Sequence, residues 1–334
     1  MAMLTRSSRV GNSQNQSRKF ILTASECILG TVTDKAAAFI KQSDEAAAKE
    51  NAELSQGSDK ITLQKHRWVP VKLLDRKPIS DDTRAYTFQL PDDKPNLGLG
   101  TCQHVQLGFH MRDRMLIRSY TPTRPLLPNS ELGNDKNKEL YDGNGTFELT
   151  VKTYFPTKEQ PGGAMSNILD CMPIGEEIEI RGPTGEIMYN ENGSFTISDK
   201  EYTFNRINLV LGGSGITPGY ALLARAILSS FDKTEIRVVD ANKSEKDILL
   251  KEALDGLEQN SGGRLKITHV LSHPGDDWKG KKGHVNADII KEALFEPDEK
   301  TGVFLCGPPA MIQKAALPVL RDWGFKEDKN VFGF

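Results

Sequence analysis

An antiparallel β-barrel followed by a doubly wound α/β domain with a parallel sheet is the fold this sequence predicts. Two textures of hydrophobic pattern and the change between them carry that expectation. From Trp68 onward, short segments alternate apolar and polar residues and are separated by turn signals, the pattern of antiparallel strands. After Phe204, short apolar strands alternate with helical patterns, which implies a parallel sheet with crossover helices. The domain division expected is a leader and polar hinge over 1–65, the barrel over 66–200 and the α/β domain over 201–334.

Composition sets the bounds. The chain has 334 residues, enough for about two domains. Hydrophobic residues make up 37% and charged residues 26%, an ordinary globular balance. The formal net charge of −2 argues against a nucleic-acid binder, which would show a basic excess or stripe. No apolar run approaches the roughly 18 residues of a membrane helix, so no integral membrane anchor is expected. Cys27, Cys102, Cys171 and Cys306 are scattered with no CxxC pair. That spacing disfavours zinc and cysteine-held iron–sulfur clusters and suits thiols in a reducing compartment, with no metal site expected.

Residues 1–25 carry Arg6, Arg9, Arg18 and Lys19, no acid, and many Ser, Asn and Gln. That composition fits a disordered tail or a mitochondrial presequence. Residues 33–55 are rich in Ala, Lys and Glu, and Thr33 is placed to cap a polar helix. With few large apolar residues, this segment reads as a connector before the Ser-Gly stretch at 55–58.

Barrel strands are expected from Val69, over Thr83–Leu90, Gln103–Phe109, Met115–Thr121, Thr146–Tyr154 and Glu177–Arg181. The polar stretch from Arg124 to Gly145 reads as a surface insertion. Met115-Leu-Ile is a short apolar run that suits a buried strand, ending in Arg118, Tyr120 and Thr121 before Pro122. On a strand Arg118 and Tyr120 share a face, so a fixed cation stands beside an aromatic plate. A phosphate uses the cation and a flat ring uses the plate. Residues 161–170 place Gly162 and Gly163 before Ser166 and a helical turn. A glycine loop opening a helix presents backbone N–H groups to a pyrophosphate.

In the second half, Ile207–Leu211 is a strand, followed by Gly212-Gly-Ser-Gly-Ile-Thr-Pro218 and a helix from Tyr220. Strands at Glu235–Asp240, Leu265–Leu271 and Gly302–Cys306 alternate with helices at Asp247–Leu257, Val285–Leu294 and Ala310–Trp323. The Gly-Gly-Ser-Gly loop and Cys306-Gly-Pro-Pro309 both stand at strand carboxyl ends, where such sheets bind ligands.

Four elements in fixed order, Arg118-x-Tyr120-Thr121, Gly162-Gly163-x-x-Ser166, Gly212–Pro218 and Cys306–Pro309, resemble the ferredoxin–NADP reductase superfamily. The likeness is strongest to NADH–cytochrome b5 reductases and to the flavin domain of eukaryotic nitrate reductases. Val151–Phe155, Asn242–Leu250 and the terminal Phe strengthen it, and it covers about residues 66–334. The resemblance implies an FAD-binding barrel, a nucleotide-binding α/β domain, and an enzyme that takes hydride from NADH or NADPH onto FAD. Single electrons then go to a haem protein such as cytochrome b5 or a b5-like domain. It also implies residue roles. Arg118 would bind the FAD pyrophosphate, Tyr120 would pack on the flavin, and Thr121 would hydrogen-bond near the hydride-accepting nitrogen. Gly163, Met165 and Ser166 would hold the diphosphate. Gly213, Ser214, Thr217 and Pro218 would line the nicotinamide crevice, with Gly307 and Pro308 opposite. Cys306 would place the hydride donor, and Lys152 would lie near the nucleotide entrance. Asp247 stands where the family has an acid favouring NADH, although Lys243 and Lys246 beside it could attract a 2′-phosphate, and Asp240 is a second candidate acid.

His273-Pro-Gly-Asp resembles a cytochrome b5 haem motif, but its fourth residue departs from it, so haem binding is not expected there. The readings left open are a free-standing reductase, the reductase portion of a nitrate reductase, and a flavin-binding module without turnover. A cytoplasmic location is expected, with the mitochondrion as the alternative.

Overall fold

The computed structural model describes residues 60–129, 138–158, 161–327 and 329–334. The basic stretch 1–25 and the Ala-rich segment 33–55 lie outside the described residues, as does part of the loop after Arg124.

Alternation builds the first sheet. In β1 (Val69–Pro78), Val69, Val71 and Leu73 turn inward and Pro70, Lys72 and Leu74 outward. The other strands are β2 (Thr83–Gln89), β3 (His104–His110), β4 (Met115–Tyr120), β5 (Thr146–Lys152) and β6 (Glu177–Thr184). They run antiparallel in the order β4-β3-β6-β1-β2-β5. The chain beyond β4 brings the two edges together: Thr123 N donates to Glu148 O at 2.9 Å, and Glu148 N donates to Arg124 O at 3.0 Å. The barrel core holds Leu73, Tyr86, Leu107, Leu149 and Ile180, with Phe88 stacked on Phe147 at 5.1 Å. Helix α1 (Ala164–Cys171) plugs this core with Met165 and Leu169.

Two features of the barrel differ from expectation. Met115, Leu116 and Ile117 are half-buried rather than buried, because β4 ends the sheet order and has a strand neighbour on one side alone. The last residues of the segment 1–65 also lie against the barrel. Thr62 N donates to Asn96 O at 2.8 Å, and Leu63 enters the core.

A three-stranded antiparallel unit follows, β7 (Ile187–Tyr189), β8 (Ser194–Ile197) and β9 (Lys200–Thr203), where the sequence reading has no strands. Its inward residues Ile187, Tyr189, Phe195 and Ile197 share a core with the second sheet. The boundary drawn at 200/201 falls at the start of β9.

The second sheet consists of β10 (Arg206–Gly212), β11 (Glu235–Asn242), β12 (Leu265–Leu271), β13 (Lys281–Lys282), β14 (Thr301–Cys306) and β15 (Val331–Gly333). All its pairings are parallel, in the order β13-β12-β11-β10-β14-β15. Helices cover both faces, so its strands read as continuous apolar runs. Leu209, Leu211 and Val238 pack toward α2 (Ile216–Leu228) and α3 (Lys251–Asn260). Val210, Val239 and Val303 pack toward α4 (Ala287–Ala293) and α5 (Leu317–Trp323). Asn208, buried in β10, is satisfied by exchanging two 2.9 Å hydrogen bonds with the Phe295 backbone.

Two expected helices change form. The stretch expected as one helix over 310–323 divides into a π-helical turn, Met311–Ala316, and α5. Pro318 has no N–H for the Lys314 carbonyl, which breaks the ladder there. The helix expected from Asp247 begins at Lys251, because Asp247 closes a capping box with Ser244 and Leu250 adopts a left-handed φ of 57°.

Candidate functional site

The order of the second sheet reverses between β10 and β14, so a crevice opens at their carboxyl ends, at Gly212 and Cys306. The barrel supplies the other wall. Between them lies a cleft of about 860 Å³, lined from the barrel by Arg118–Thr121, Thr150–Lys152 and Gly162–Ser166. Gly212–Gly215, Thr217, Pro218, Cys306–Pro309 and Phe334 line it from the α/β domain. The residues to which the resemblance assigned a role lie in this lining except the nucleotide-choice candidates Asp240, Lys243, Lys246 and Asp247, of which Asp247 reaches the site through Lys152. A second cavity, of about 540 Å³ between Gly98–Gln103 and Tyr189, shares Cys102 and Thr121 with it and holds none of the glycine motifs.

Charge and shape of the lining are specific. It carries two cations, Arg118 and Lys152, and aromatic rings from Tyr120, Tyr154 and Phe334, and no Asp or Glu side chain is among its lining residues. Arg118 is exposed and donates to its neighbour's carbonyl, Ile117 O, at 2.7 Å. Among the described residues no acid pairs with it, so its charge is available to an anion. At the other side of the barrel wall, the first N–H groups of α1 have no acceptor within the helix. Gly163 caps that end without a side chain. Gly162, with φ +78°, is required here: a Cβ would stand 2.7 Å from Tyr154 O. Ser166 is buried, and its hydroxyl donates to Gly163 O at 3.1 Å and accepts Tyr154 N–H at 3.3 Å. Ser166 therefore shapes the loop as well as facing the cleft. Arg76 fixes the far end of α1, donating to Asp170 O at 2.5 Å and Met172 O at 3.0 Å.

Two loops form the opposite wall at van der Waals limits. A Cβ on Gly215 would lie 2.5 Å from Cys306 O, so the glycine lets the loop after β10 touch the loop after β14. Thr217 Oγ1 donates to Ser214 O at 3.2 Å and stiffens the turn. Burial pushes the Cys306 thiol up to about 11, so it stays protonated at neutral pH. Tyr120 is likewise held neutral, raised mainly by burial with Arg118 opposing. Burial lowers His104, leaving a neutral imidazole at the rim. None of these groups is poised as a strong base, so the lining suits binding and alignment.

Lys152 is half-buried at the end of β5, with its Nζ 2.9 Å from Asp82 Oδ2 and 2.7 Å from Asp247 Oδ1. Burial opposes its charge, but the hydrogen bonds to Asp247 and Asp82 outweigh that and raise its pKa. Asp247 shows the counterpart. Burial resists its ionisation, and hydrogen bonds from Lys152 and Ser244 bring its pKa below the ordinary value.

The sequence reading gave no role to Phe334, His104 or Cys102. Phe334 N donates to Leu305 O at 3.1 Å, and its ring stacks on Phe304 at 5.6 Å, which brings the last residue into the cleft. Its aromatic character at the chain end was the available signal; His104 and Cys102 carry none. The His273-Pro-Gly-Asp segment lies in the loop after β12, with the Ser272 hydroxyl and His273 Nδ1 2.9 Å apart. Among the described residues no group of three or more His, Cys, Asp or Glu is arranged to hold a metal, and no helix is long and apolar enough to cross a membrane.

The lining fits FAD with a nicotinamide dinucleotide. Its cations and open helix end meet a pyrophosphate, its rings meet flat heterocycles, and its volume is that of a cofactor site. Comparison with known proteins agrees. Residues 70–134 and 136–189 match the oxidoreductase FAD-binding domain, and residues 209–316 match the oxidoreductase NAD-binding domain. The chain is 36% identical over 274 residues to NADH-cytochrome b5 reductase 2 of Danio rerio, covering 79% of this chain and 84% of that one. It is 36% identical over 289 residues to nitrate reductase [NADPH] of Aspergillus niger, covering 86% of this chain but 31% of that protein's length. Among solved structures, the cytochrome b5 reductase domain of Ulva prolifera nitrate reductase superposes with a TM-score of 0.73 at 31% identity. That match covers 82% of this chain and 99% of that one.

Proposed function

This chain belongs to the FAD- and NAD(P)H-binding oxidoreductases of the ferredoxin–NADP reductase superfamily, and on that premise we propose that it passes electrons from NAD(P)H through FAD to a haem protein of the cytochrome b5 kind. The observation that supports this most is the meeting of Arg118–Thr121, the α1 end, the Gly212–Gly215 loop and Cys306 in one cleft at the sheet's switch point. When bound, FAD supplies a two-electron hydride acceptor that can release electrons singly. The net reaction oxidises one NAD(P)H, reduces two one-electron haem acceptors and releases one proton.

Residues of the chain serve that chemistry by position. Arg118 and the N–H groups of Ala164–Ser166 take the FAD pyrophosphate. Tyr120 would pack on the flavin, and Thr121 would offer it a hydroxyl. Gly213, Ser214, Thr217 and Pro218 receive the nicotinamide nucleotide, with Gly307 and Pro308 closing over it. Cys306, protonated and polarisable, would help to position the nicotinamide against the flavin. Lys152 stands at the mouth, where a dinucleotide phosphate passes. Alignment of this kind supplies rate by holding donor and acceptor in contact with water excluded.

A second reading is the reductase portion of a nitrate reductase, which the 86% coverage of this chain by the Aspergillus niger enzyme supports. We place the reaction in the cytoplasm, in keeping with scattered thiols, and cell fractionation tests that against the mitochondrial alternative. The function itself is tested by flavin content and anaerobic reduction with NADH and NADPH. A protein that neither retains FAD nor regains it on addition contradicts the proposal. A yellow protein that neither nucleotide bleaches makes it a flavin-binding module without turnover.

A further inference from the structure

Three side chains with no role so far form a hydrogen-bonded line from the cleft wall to a carboxylate. In β5, Phe147, Leu149 and Val151 enter the barrel core, so Glu148, Thr150 and Lys152 share the opposite face. That face looks toward the α/β domain, where Lys152 meets Asp247. Thr150 lines the cleft, and Thr123 follows two residues after Thr121, which lines it too. The Thr123 and Thr150 hydroxyls, both buried, are 3.2 Å apart. Thr123 Oγ1 donates to Glu148 Oε1 at 3.1 Å, with the Glu148 carbonyl a weaker competitor at 3.5 Å. Each step lies within the reach of proton transfer, about 2.6–3.2 Å.

Donor counting fixes the direction of this line. An ionised carboxylate only accepts, and each threonine hydroxyl has one proton to donate. Thr123 gives its proton to Glu148 and must therefore accept from Thr150, whose oxygen keeps an acceptor position for the cleft. The cleft has a use for such a group. Each NAD(P)H oxidised in the proposed reaction leaves one proton to be removed, and no Asp or Glu is among the lining residues. His104 is the lining side chain nearest to accepting a proton at neutral pH, and burial lowers its pKa, which disfavours the charged form. Two hydroxyls connect Glu148 to the wall instead, and Glu148 is half-buried, so it reaches solvent. Around it stand Arg124, whose carbonyl accepts the Glu148 N–H at 3.0 Å and whose guanidinium pairs with Glu139, and Tyr220 of α2. Burial raises the Tyr220 pKa, with Arg124 opposing and Glu148 adding.

We propose that Thr150, Thr123 and Glu148 form a proton relay that opens on the cofactor cleft and delivers to solvent the proton left by the reaction. A proton leaving an N–H in the cleft forms an O–H bond on Thr150, as the former Thr150 proton passes to Thr123 and the former Thr123 proton to Glu148 Oε1. One N–H and two O–H bonds break and three O–H bonds form. The positive charge moves the length of the line, while the electron pair goes singly to two haem acceptors. Glu148 then gives the proton to water, and rotation of the hydroxyls restores the starting order. The relay rests on the FAD-dependent function proposed above.

The test uses the full FAD-loaded chain, reduced anaerobically with dithionite and reoxidised by ferricyanide in weak buffer, so that no nucleotide is needed. A pH-indicator dye follows proton release while flavin absorbance follows the electrons. Thr150→Val and Glu148→Gln should each slow proton release by at least about tenfold, since neither keeps the path. The double variant should be no slower than either single one, because both cut the same line. Thr150→Ser restores the hydroxyl and should release the proton within about threefold of wild type, which separates the relay from a fault in folding. Infrared difference spectra of the wild type, reduced against oxidised, should contain a Glu148 carboxylate band that Glu148→Gln removes, because the line couples that carboxylate to the cleft. Proton release at the wild-type rate in a Thr150→Val protein that keeps its flavin would overturn the proposal. Slowing by Thr150→Val that Glu148→Gln does not share would overturn it too, as would slowing confined to His104→Gln, which puts the path on another wall. If Thr150→Val loses its flavin, the wild-type infrared spectrum decides, and a Glu148 band that ignores the flavin's redox state rejects the relay. Should neither nucleotide bleach a flavin that dithionite and ferricyanide cycle normally, the proposed function fails while the relay is still decided.

Discussion

Replacing Gly215 by alanine tests how closely the two loops of the switch point must approach. The new Cβ would meet Cys306 O at 2.5 Å, Cys306 C at 2.6 Å and Gly307 N at 2.9 Å. All three are backbone atoms, so no side chain can rotate away. Gly215 has φ −64°, which alanine adopts freely, so the perturbation is spacing alone. Ordinary contact begins near 3.4 Å, and the loops must therefore part by about 1 Å, at a cost of about 1–3 kcal/mol in overpacking. A displacement of about 1 Å between groups that align hydride donor and acceptor lowers the transfer rate about 100-fold, or about 2.7 kcal/mol in the barrier. The assay is flavin bleaching by NAD(P)H in an anaerobic stopped-flow instrument, with flavin content as the control, because the barrel side is untouched. Gly213→Ala is the companion variant. It has φ +54° and no atom within 4 Å of its Cβ, so it strains the backbone without separating the loops and should slow bleaching far less. A Gly215→Ala protein that keeps its flavin and bleaches within threefold of wild type would refute the close-approach argument.

The Cys306 thiol, raised to about 11 from 9.0, should be alkylated by iodoacetamide at pH 8 about 100-fold more slowly than an unperturbed thiol, with labelling accelerating as pH rises toward 11. Mass spectrometry after timed quenching reads this, and labelling at the rate of a free thiol contradicts it. Arg76→Gln removes donors from the carbonyl end of α1, an eight-residue helix too short to persist alone, and should cost about 1–3 kcal/mol in stability and hasten FAD release. An unchanged melt and unchanged flavin retention would show that α1 is held by packing alone. The Lys152–Asp247 pair fixes a pH window. The lowered carboxylate adds stability that is present above its unfolded value of 3.8 and is lost as pH falls through the lower folded one. The raised lysine adds stability below 10.5 that is lost as pH rises beyond its folded value. The stability gap between wild type and Asp247→Asn should therefore be flat from about pH 5 to 9 and shrink at both extremes, as denaturation at stepped pH would show. A gap that grows on acidification contradicts the pairing.

The sequence exposed those parts of the site whose chemistry demands special residues. Glycines at strand ends, a cation beside an aromatic ring, and apolar runs of sheet length placed most of the cleft lining before any contact was known. Less visible were features set by partners distant in the chain. Asp247 and Lys152 are 95 residues apart, and nothing local indicates that the two are paired. The β7–β9 unit was missed because its strands have three or four residues each, too few for a period, although Asn190–Gly193 marks its first turn. The half-burial of Met115–Ile117 follows from β4 lying at a sheet edge, which composition does not encode. Pro318 did signal the break in the last helix, but an apolar periodicity running through it concealed the π-helical turn.

Sequential mixing tests the central claim most directly. The purified, FAD-loaded chain is reduced anaerobically with one equivalent of NADH or NADPH and then mixed with oxidised cytochrome b5, while flavin and haem absorbance are followed separately. Rapid loss of the flavin band, then its return as two haems are reduced per nucleotide, is the result the account predicts. A flavin that neither nucleotide bleaches, or a bleached flavin that leaves the haem oxidised, would contradict it.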